Sequence, residues 1–213
     1  MRKFRWQLLI ILLTGLVVGL LLVFQQSANS PEITSTPSPV TGGIYTEALI
    51  GNFLRLNPIL DRYNQADKDV DRLLFNGLVK FDSSGMPQPD LAETWSYSSD
   101  GTRFTFSLRA DAYWHDGNPV TAQDVVMVCD AQANEKSGSS YSTQFVATLK
   151  SWTAIDDKTF QWETVDVFPQ LVVFPNIALP ILPSSIWGDV PVEEWQTDSG
   201  STGTDPSRVV GSG

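Results

Sequence analysis

His115 is followed directly by Asp116, and these two side-chain types take part in chemistry in many proteins. An imidazole next to a carboxylate can belong to a nucleophilic triad, to a metal site or to a turn. A metal site needs further His, Cys or clustered carboxylates, and this sequence has no second His. A G-x-S-x-G segment, which would provide a nucleophile, is also absent from the sequence. The following Gly117-Asn118-Pro119 has turn chemistry, so we interpret His115 as a turn residue.

The elements around this turn are a helix and two hairpins. Thr121 stands where a helix N-cap is expected, and Asp124 follows at the spacing of a capping box. The resulting helix is predicted from Ala122 to about Ala133, with Asp124 favourable to its dipole. Cys129 lies in an apolar helical pattern, and as the one cysteine of the chain it is interpreted as a core residue.

Upstream of the turn, the sequence predicts a strand at Ile44–Leu49 and a helix from about Asp67 to Phe75. The helix has an apolar stripe of Val70, Leu73 and Leu74, at i, i+3 and i+4. The Asn76-Gly77 pair is a plausible end to it. A strand in "LVKFD" and a loop in "SSGMPQPD" follow.

The hairpins are predicted from alternation and turn residues. Phe104, Phe106 and Leu108 alternate with polar residues, the period of a strand with one wet face. Asp100-Gly101 before this strand is a strong hairpin signal. A second hairpin is predicted around Asp156-Asp157-Lys158. We find no internal repeat.

The amino-terminal segment points to export. Arg2, Lys3 and Arg5 precede seventeen uncharged residues, Leu8 to Phe24. This length approaches a bilayer span, and the positive end should stay in the cytoplasm. A cleaved signal peptide would need a shorter apolar core and a better cleavage site than Ser27-Ala28-Asn29, so we favour an uncleaved anchor at 1–26 and keep the signal peptide as the alternative.

The rest of the chain divides into a linker and a folded part. Ten of the fifteen residues from Ser27 to Thr41 are Ser, Thr or Pro, which predicts an extended linker at 27–41. The folded domain is predicted at 42–213. The residues after Arg5 carry 11 basic and 24 acidic side chains. Their net charge of −13 would repel nucleic acid and anionic lipid, and it suits an exported protein.

Five elements of the sequence, in order, resemble a known family. They are the segments Pro89–Trp95, Ser98–Gly101, Thr105–Arg109, Trp114–Gly117 and Thr121–Val125. Together they resemble the extracellular solute-binding proteins of family 5, the peptide- and nickel-binding receptors of ABC importers. "LNPILD" looks like that family's Leu-Asp-Pro element with Asn57 in place of Asp, and "LPILPSSIW" and "VVGSG" also resemble family segments.

The resemblance implies an α/β fold, the N-terminal part of a two-lobed periplasmic-binding-protein-like (type II) fold. It implies a mixed sheet with a β-hairpin-rich subdomain, and a chain that is an incomplete, truncated portion of the domain. It further implies capture of a peptide or other small solute by lobe closure and delivery to ABC permease subunits, at the extracytoplasmic face of the cell membrane. Neither catalysis nor a cofactor is expected.

The resemblance also suggests site residues. Arg62, Tyr63 and Asn64 follow the Leu-Asp-Pro-like element, so they are the candidate ligand-binding residues of the first lobe; they can equally be ordinary surface residues. No catalytic or metal-binding residue is expected, and the Trp-His-Asp-Gly element looks like a fold signature.

Two other functions stay open, a membrane-anchored sensor or interaction ectodomain on the same fold and, less favoured, an exported hydrolase. Because lobe completion would need further chain, we expect Phe104, Phe106 and Leu108 to be only partly covered and the folded part to be prone to aggregation.

Overall fold

The computed structural model describes residues 13–20, 46, 48–61, 63–169 and 180–213. The chain divides into two compact units, residues 1–47 and residues 48–213. In the first unit, residues 13–20 form a helix, α1; the remainder of the predicted anchor and the whole predicted linker lie outside the described residues. Of the helices that the structure describes, none is both long enough and apolar enough to cross a membrane.

The second unit is built from four helices and six strands within the described ranges, in the order α2, β1 to β4, α3, α4, β5, β6 and α5. The helices are α2 (Gln65–Leu74), α3 (Ala122–Ala133), α4 (Ser142–Thr148) and α5 (Ser184–Trp187). The strands are β1 (Val79–Phe81), β2 (Pro87–Pro89), β3 (Ala92–Tyr97), β4 (Arg103–Leu108), β5 (Leu149–Ala154) and β6 (Thr159–Thr164). Short 3-10 turns lie at Glu135–Ser137, Val192–Glu194 and Pro206–Arg208.

Both predicted hairpins are present and join into one antiparallel sheet in the order β3-β4-β6-β5. Phe104 pairs with Trp162 and Phe106 with Phe160 across the central two strands. The turn between β3 and β4 contains Gly101 at φ +73°, a left-handed conformation that glycine adopts without steric cost. A separate pair, β1 with β2, forms within the segment predicted as strand and loop, so the loop prediction missed a short strand.

One face of the four-stranded sheet packs on α3 and forms the core. The aromatic rings of Phe106 and Trp162 meet edge to face, with centroids 5.1 Å apart. Val125, Val128 and Cys129 of α3 are buried in the same cluster. The prediction that Cys129 is a core residue is therefore confirmed, and burial raises the pKa of its thiol well above the usual range.

The expectation that Phe104, Phe106 and Leu108 are only partly covered is wrong, because all three are buried. The second hairpin and α3 supply the cover within this chain.

The turn of the second hairpin also makes contacts of its own. The Lys158 ammonium in this turn donates to the carbonyl oxygens of Arg109 (3.2 Å) and Val120 (2.8 Å). Ala122 N–H at the start of α3 donates to Asp157 O at 2.8 Å, so this turn also fixes the helix.

Two further predictions need correction. The described residues of the predicted strand Ile44–Leu49 are in no strand. Helix α2 exists but begins at Gln65, and its predicted apolar stripe is only partly correct: Leu74 packs against the core, whereas Leu73 is exposed, and the buried residues of the helix are Ala66, Asp67 and Asp71. At Asp67 the reason is a hydrogen bond: its Oδ1 accepts from the backbone N–H of Leu54, in the segment that packs against this face of α2.

Candidate functional site

The candidate ligand residues follow a tight turn at Asn57, in a segment that we call the Asn57 loop (residues 56–61 with 63 and 64). Asn57 is fully buried, and its Oδ1 accepts from Ile59 N–H at 3.1 Å. Its Nδ2 donates to the hydroxyl of Ser201 at 3.2 Å. The backbone N–H of Leu56 donates to Ser201 O at 2.6 Å. The asparagine thus supplies both an acceptor for the turn and a donor that ties the loop to a segment 144 residues away.

Asn64 ends this loop and starts α2. Its Oδ1 accepts from the N–H groups of Ala66 (3.1 Å) and Asp67 (3.5 Å), the bonding of an N-cap. Its Nδ2 donates to Asn52 O at 2.9 Å. The side chain of Asn64 is therefore engaged in holding the loop, and it is not directed to solvent for a ligand.

Tyr63 lies next to it and is 85 % exposed, so its ring is presented to solvent on a fixed backbone. Asn64 N–H donates to Asp61 O at 2.9 Å, which closes the turn beneath Tyr63. Arg62, the third candidate, lies outside the described residues. Of the three predicted residues, Tyr63 is thus exposed and Asn64 caps α2, and their role in ligand binding stays a prediction.

An exposed apolar segment precedes the Asn57 loop and contacts the start of α2. Residues 49–54 are held to α2 by Leu54 N–H, which donates to Asp67 Oδ1 at 2.7 Å. The exposed side chains of this strip, which sequence reasoning missed, are Leu49, Ile50, Phe53 and Leu54. Exposed apolar side chains of this kind can bind the apolar portion of a solute, and they provide no covalent chemistry.

His115 has a different partner from any that the sequence indicated. The backbone N–H of His115 donates to Gly211 O at 2.8 Å, and the ring atom Nε2 lies 2.9 Å from Gly213 O. Gly211 N–H donates to Nδ1 at 3.4 Å. Both ring contacts are made together when Nε2 donates to Gly213 O and Nδ1 accepts from Gly211 N–H.

The interpretation of His115 as a turn residue is confirmed, since Gly117 N–H donates to Trp114 O at 2.9 Å and Gly117 has φ +87°. The turn also has a second role, because its histidine binds the backbone of residues 211–213. On the other side of that segment, Ser212 N–H donates to Leu74 O at 2.8 Å. The Trp-His-Asp-Gly turn and the end of α2 therefore enclose this glycine-rich segment.

Asp124 connects the turn to the start of α3 and to α5. Its Oδ2 accepts from Thr121 N–H (2.8 Å), from the Thr121 hydroxyl (3.2 Å) and from Trp114 Nε1 (3.3 Å). Its Oδ1 accepts from the N–H (2.8 Å) and the hydroxyl (2.6 Å) of Ser184. The predicted capping box at Thr121 and the predicted bounds of α3 are confirmed. Through these bonds Ser184 ties the start of α5 to the start of α3.

Three carboxyl groups meet between α2 and the Asn57 loop. Asp61 belongs to the loop, and Asp67 and Asp71 lie one turn apart on the inner face of α2; all three are buried. Burial raises the pKa of Asp71 to about 8 and that of Asp61 to about 6. Sequence reasoning missed this cluster, although Asp67 and Asp71 have the i, i+4 spacing of one helix face. In the described part of the chain, no group of three His, Cys, Asp or Glu has the arrangement that holds a metal ion.

Two cavities lie elsewhere in the described residues. One of about 610 Å³ is lined by Arg72, Phe75, Lys80 and Asp90 among others, and burial raises the pKa of Asp90. The second, of about 310 Å³, lies beside Trp187. Neither of these two cavities is lined by Tyr63 or Asn64.

The sequence matches the family described as bacterial extracellular solute-binding proteins, family 5 (middle), over residues 86–213. It is 32 % identical over 168 residues to the periplasmic oligopeptide-binding protein OppA of Salmonella typhimurium, covering 69 % of this chain and 28 % of OppA. It is 35 % identical over 162 residues to the oligopeptide-binding protein AliB of Streptococcus pneumoniae, covering 73 % of this chain and 23 % of AliB.

Among solved structures, the chain resembles NikZ from Campylobacter jejuni, determined in complex with Ni(L-His). The TM-score is 0.63 at 28 % identity, with 76 % of this chain and 30 % of NikZ covered. The fold is thus part of the periplasmic-binding-protein-like (type II) fold, as the sequence predicted. The chain spans between about a quarter and a third of the length of these proteins, 28 %, 23 % and 30 %.

Proposed function

This chain belongs to the bacterial extracellular solute-binding proteins of family 5, and on that premise we propose that it is part of the peptide-binding component of an ABC importer. The observation that carries the choice of peptide is its similarity to OppA and AliB, both of which are oligopeptide-binding proteins. Members of the family are binding proteins, and we propose no catalytic step for this one.

Binding at the Asn57 loop would use a fixed backbone and an exposed ring. Tyr63 offers an apolar face and a hydroxyl, which suits the mixed character of a peptide. Asn64 would act by positioning, since its side chain caps α2 and holds Asn52. Arg62 stays a proposed contact residue from the family resemblance.

Capture would follow the two-lobe scheme. A solute that makes additional contacts in the closed form shifts the equilibrium towards closure, and the closed form is the one delivered to the permease. The expected place is the extracytoplasmic face of the cell membrane, with residues 1–26 as an anchor; both remain proposals. Mass spectrometry of the expressed protein checks the anchor, because cleavage near Ser30 would show a signal peptide instead.

Titration calorimetry with a pool of di- to hexapeptides tests the function. The experiment uses the protein as the cell produces it. We expect heat of binding from peptides. Tyr63→Ala removes the proposed contact between the tyrosine ring and the bound peptide, and it should lower the affinity about ten-fold. Tyr113→Ala, at another exposed tyrosine in the turn before His115, is the matched control and should bind as the wild type does.

The result that contradicts the proposal is also clear. If no peptide gives heat while Ni(L-His), the ligand of the structurally similar NikZ, does, the solute class is wrong. If peptides bind equally to the wild type and to Tyr63→Ala, the Asn57 loop is not the site.

A further inference from the structure

In the carboxyl cluster between α2 and the Asn57 loop, one buried carboxyl group has no hydrogen-bond donor in the described part of the chain, that of Asp71. Asp71 is 1 % exposed, and neither of its carboxyl oxygens has a hydrogen-bond partner among the described residues. Asp67, one turn earlier, is different because its Oδ1 accepts from Leu54 N–H. A buried carboxylate with no donor is strongly disfavoured, so Asp71 is expected to be protonated where ordinary aspartates are ionised.

The charged groups that face Asp71 further disfavour its ionised form. The loop contributes Asp61 and the helix contributes Asp67, and both act on Asp71 by repulsion. Lys68 and Arg72 of the same helix attract Asp61. No described cation makes a comparable contribution at Asp71. Ionised Asp71 would therefore place a further negative charge between α2 and a loop that already carries Asp61.

We propose that the protonation state of Asp71 controls how closely the Asn57 loop, which carries Tyr63, packs against α2. The protonated side chain allows α2 and the Asn57 loop to pack together, and ionisation opposes that packing. Two hydrogen bonds link the region, Leu54 N–H to Asp67 and Asn64 Nδ2 to Asn52 O, so loosening would reach Tyr63 and the apolar strip together. An effect of Asp71 on solute binding rests on the proposed function. Its effect on the packing of the loop does not.

The direction of the pH effect follows from the raised pKa values. Below the ordinary aspartate pKa of 3.8, both packed and loosened forms bind the proton, and the packing is fully stabilised. As pH rises, the loosened form loses the proton first, so packing weakens progressively until about pH 8, where the packed form ionises as well. Asp61 contributes in the same direction only up to about pH 6. The window between pH 6 and pH 8 therefore belongs to Asp71.

Quenched hydrogen–deuterium exchange of the protein tests this, with the amides of Leu54, Ala66 and Asp67 as reporters. In the wild type, their protection factors should fall by up to about ten-fold per pH unit between pH 6 and pH 8. Asp71→Asn should show a flat profile in that window. Asp69→Asn, on the same helix with its carboxylate bound to Gln65 Nε2, is the matched control and should follow the wild type.

A second measurement needs no variant. The carbon-13 shift of the Asp71 carboxyl in the wild type should titrate near pH 8, where the loss of loop protection levels off. Titration near 3.8, or an unchanged pH profile in Asp71→Asn, would overturn the proposal. A failure of peptide binding would overturn the proposed function and leave these exchange results unaffected, so the two can be distinguished.

Discussion

At the scale of single residues, His115 acts through the two nitrogens of its ring. Nε2 lies against Gly213 O and Nδ1 against Gly211 N–H, while the side chain itself is exposed. Exposed hydrogen bonds of this kind contribute modestly to stability. In this structure the ring of His115 therefore holds the backbone of residues 211–213.

We accordingly expect His115→Ala to lower the free energy of unfolding by about 1 kcal/mol and to leave solute binding intact. Urea unfolding and peptide calorimetry measure the two quantities. His115→Gln, which keeps one polar group near the position of Nε2, is the control and should recover part of the loss. Loss of binding with unchanged stability would show that His115 contacts the ligand.

Asp124 is the residue at which a small change should matter most. Thr121→Ala removes one capping hydroxyl and is expected to cost about 1 kcal/mol. Asp124→Ala leaves the donors of Trp114, Thr121 and Ser184 without their acceptor in a part-buried site, so we expect a cost of about 3 kcal/mol. Thermal unfolding of the two variants measures both. Equal costs would show that the helix cap, and not the link to Ser184, is the main contribution of Asp124.

At the scale of elements, the glycine-rich segment 211–213 depends on close approach to the end of α2. A Cβ added at Gly211 would collide with the Leu74 carbonyl oxygen and would lie 3.0 Å from the His115 ring. Asn76 N–H also donates to the Ser212 hydroxyl at 3.1 Å. The segment can therefore lie here only with a residue that lacks a side chain at position 211.

Gly211→Ala should displace this segment and expose the end of α2. We expect a destabilisation of about 2 kcal/mol, together with faster amide exchange at Ser212, whose N–H is bonded to Leu74 O. Ser207→Ala, at an exposed residue in the same part of the chain, should leave both quantities near the wild type. Unaltered exchange in Gly211→Ala would mean that the helix end moves aside instead.

At the scale of the whole molecule, the core of the sheet and α3 is buried, and several consecutive apolar residues are exposed in the segment 49–54. Ile50 is 96 % exposed and Phe53 and Leu54 are also exposed. The tendency to associate, which the sequence led us to expect from the Phe104 face, is thus better assigned to residues 49–54. Exposed apolar side chains that lie together favour association.

Ile50→Ser is expected to reduce self-association of the protein, measured by light scattering over a range of concentrations. The matched control is Ile155→Ser, at an exposed isoleucine beside the second hairpin turn, which should change association little. A larger effect of Ile155→Ser would show that the surface responsible for self-association lies on the sheet.

The sequence by itself determined the local elements. The hairpins at Asp100-Gly101 and Asp156–Lys158, the bounds of α3 and its capping box were all predictable, because turns, caps and alternation arise from hydrogen bonds and sterics within a few residues. The ordered elements around Trp114–Gly117 were identified through their resemblance to a known family. The placement of α2 was predictable, but its buried face was not.

Only the tertiary structure decided which distant groups meet. Asn57 binds Ser201 at a separation of 144 residues, His115 binds Gly213 at 98, and Asp124 binds Ser184 at 60. Such contacts depend on the path of the chain, and no local pattern encodes them. The burial of Asp71 has the same origin: an acidic residue in an amphipathic helix is expected to face water, and here the packing of the Asn57 loop against α2 removes it from solvent.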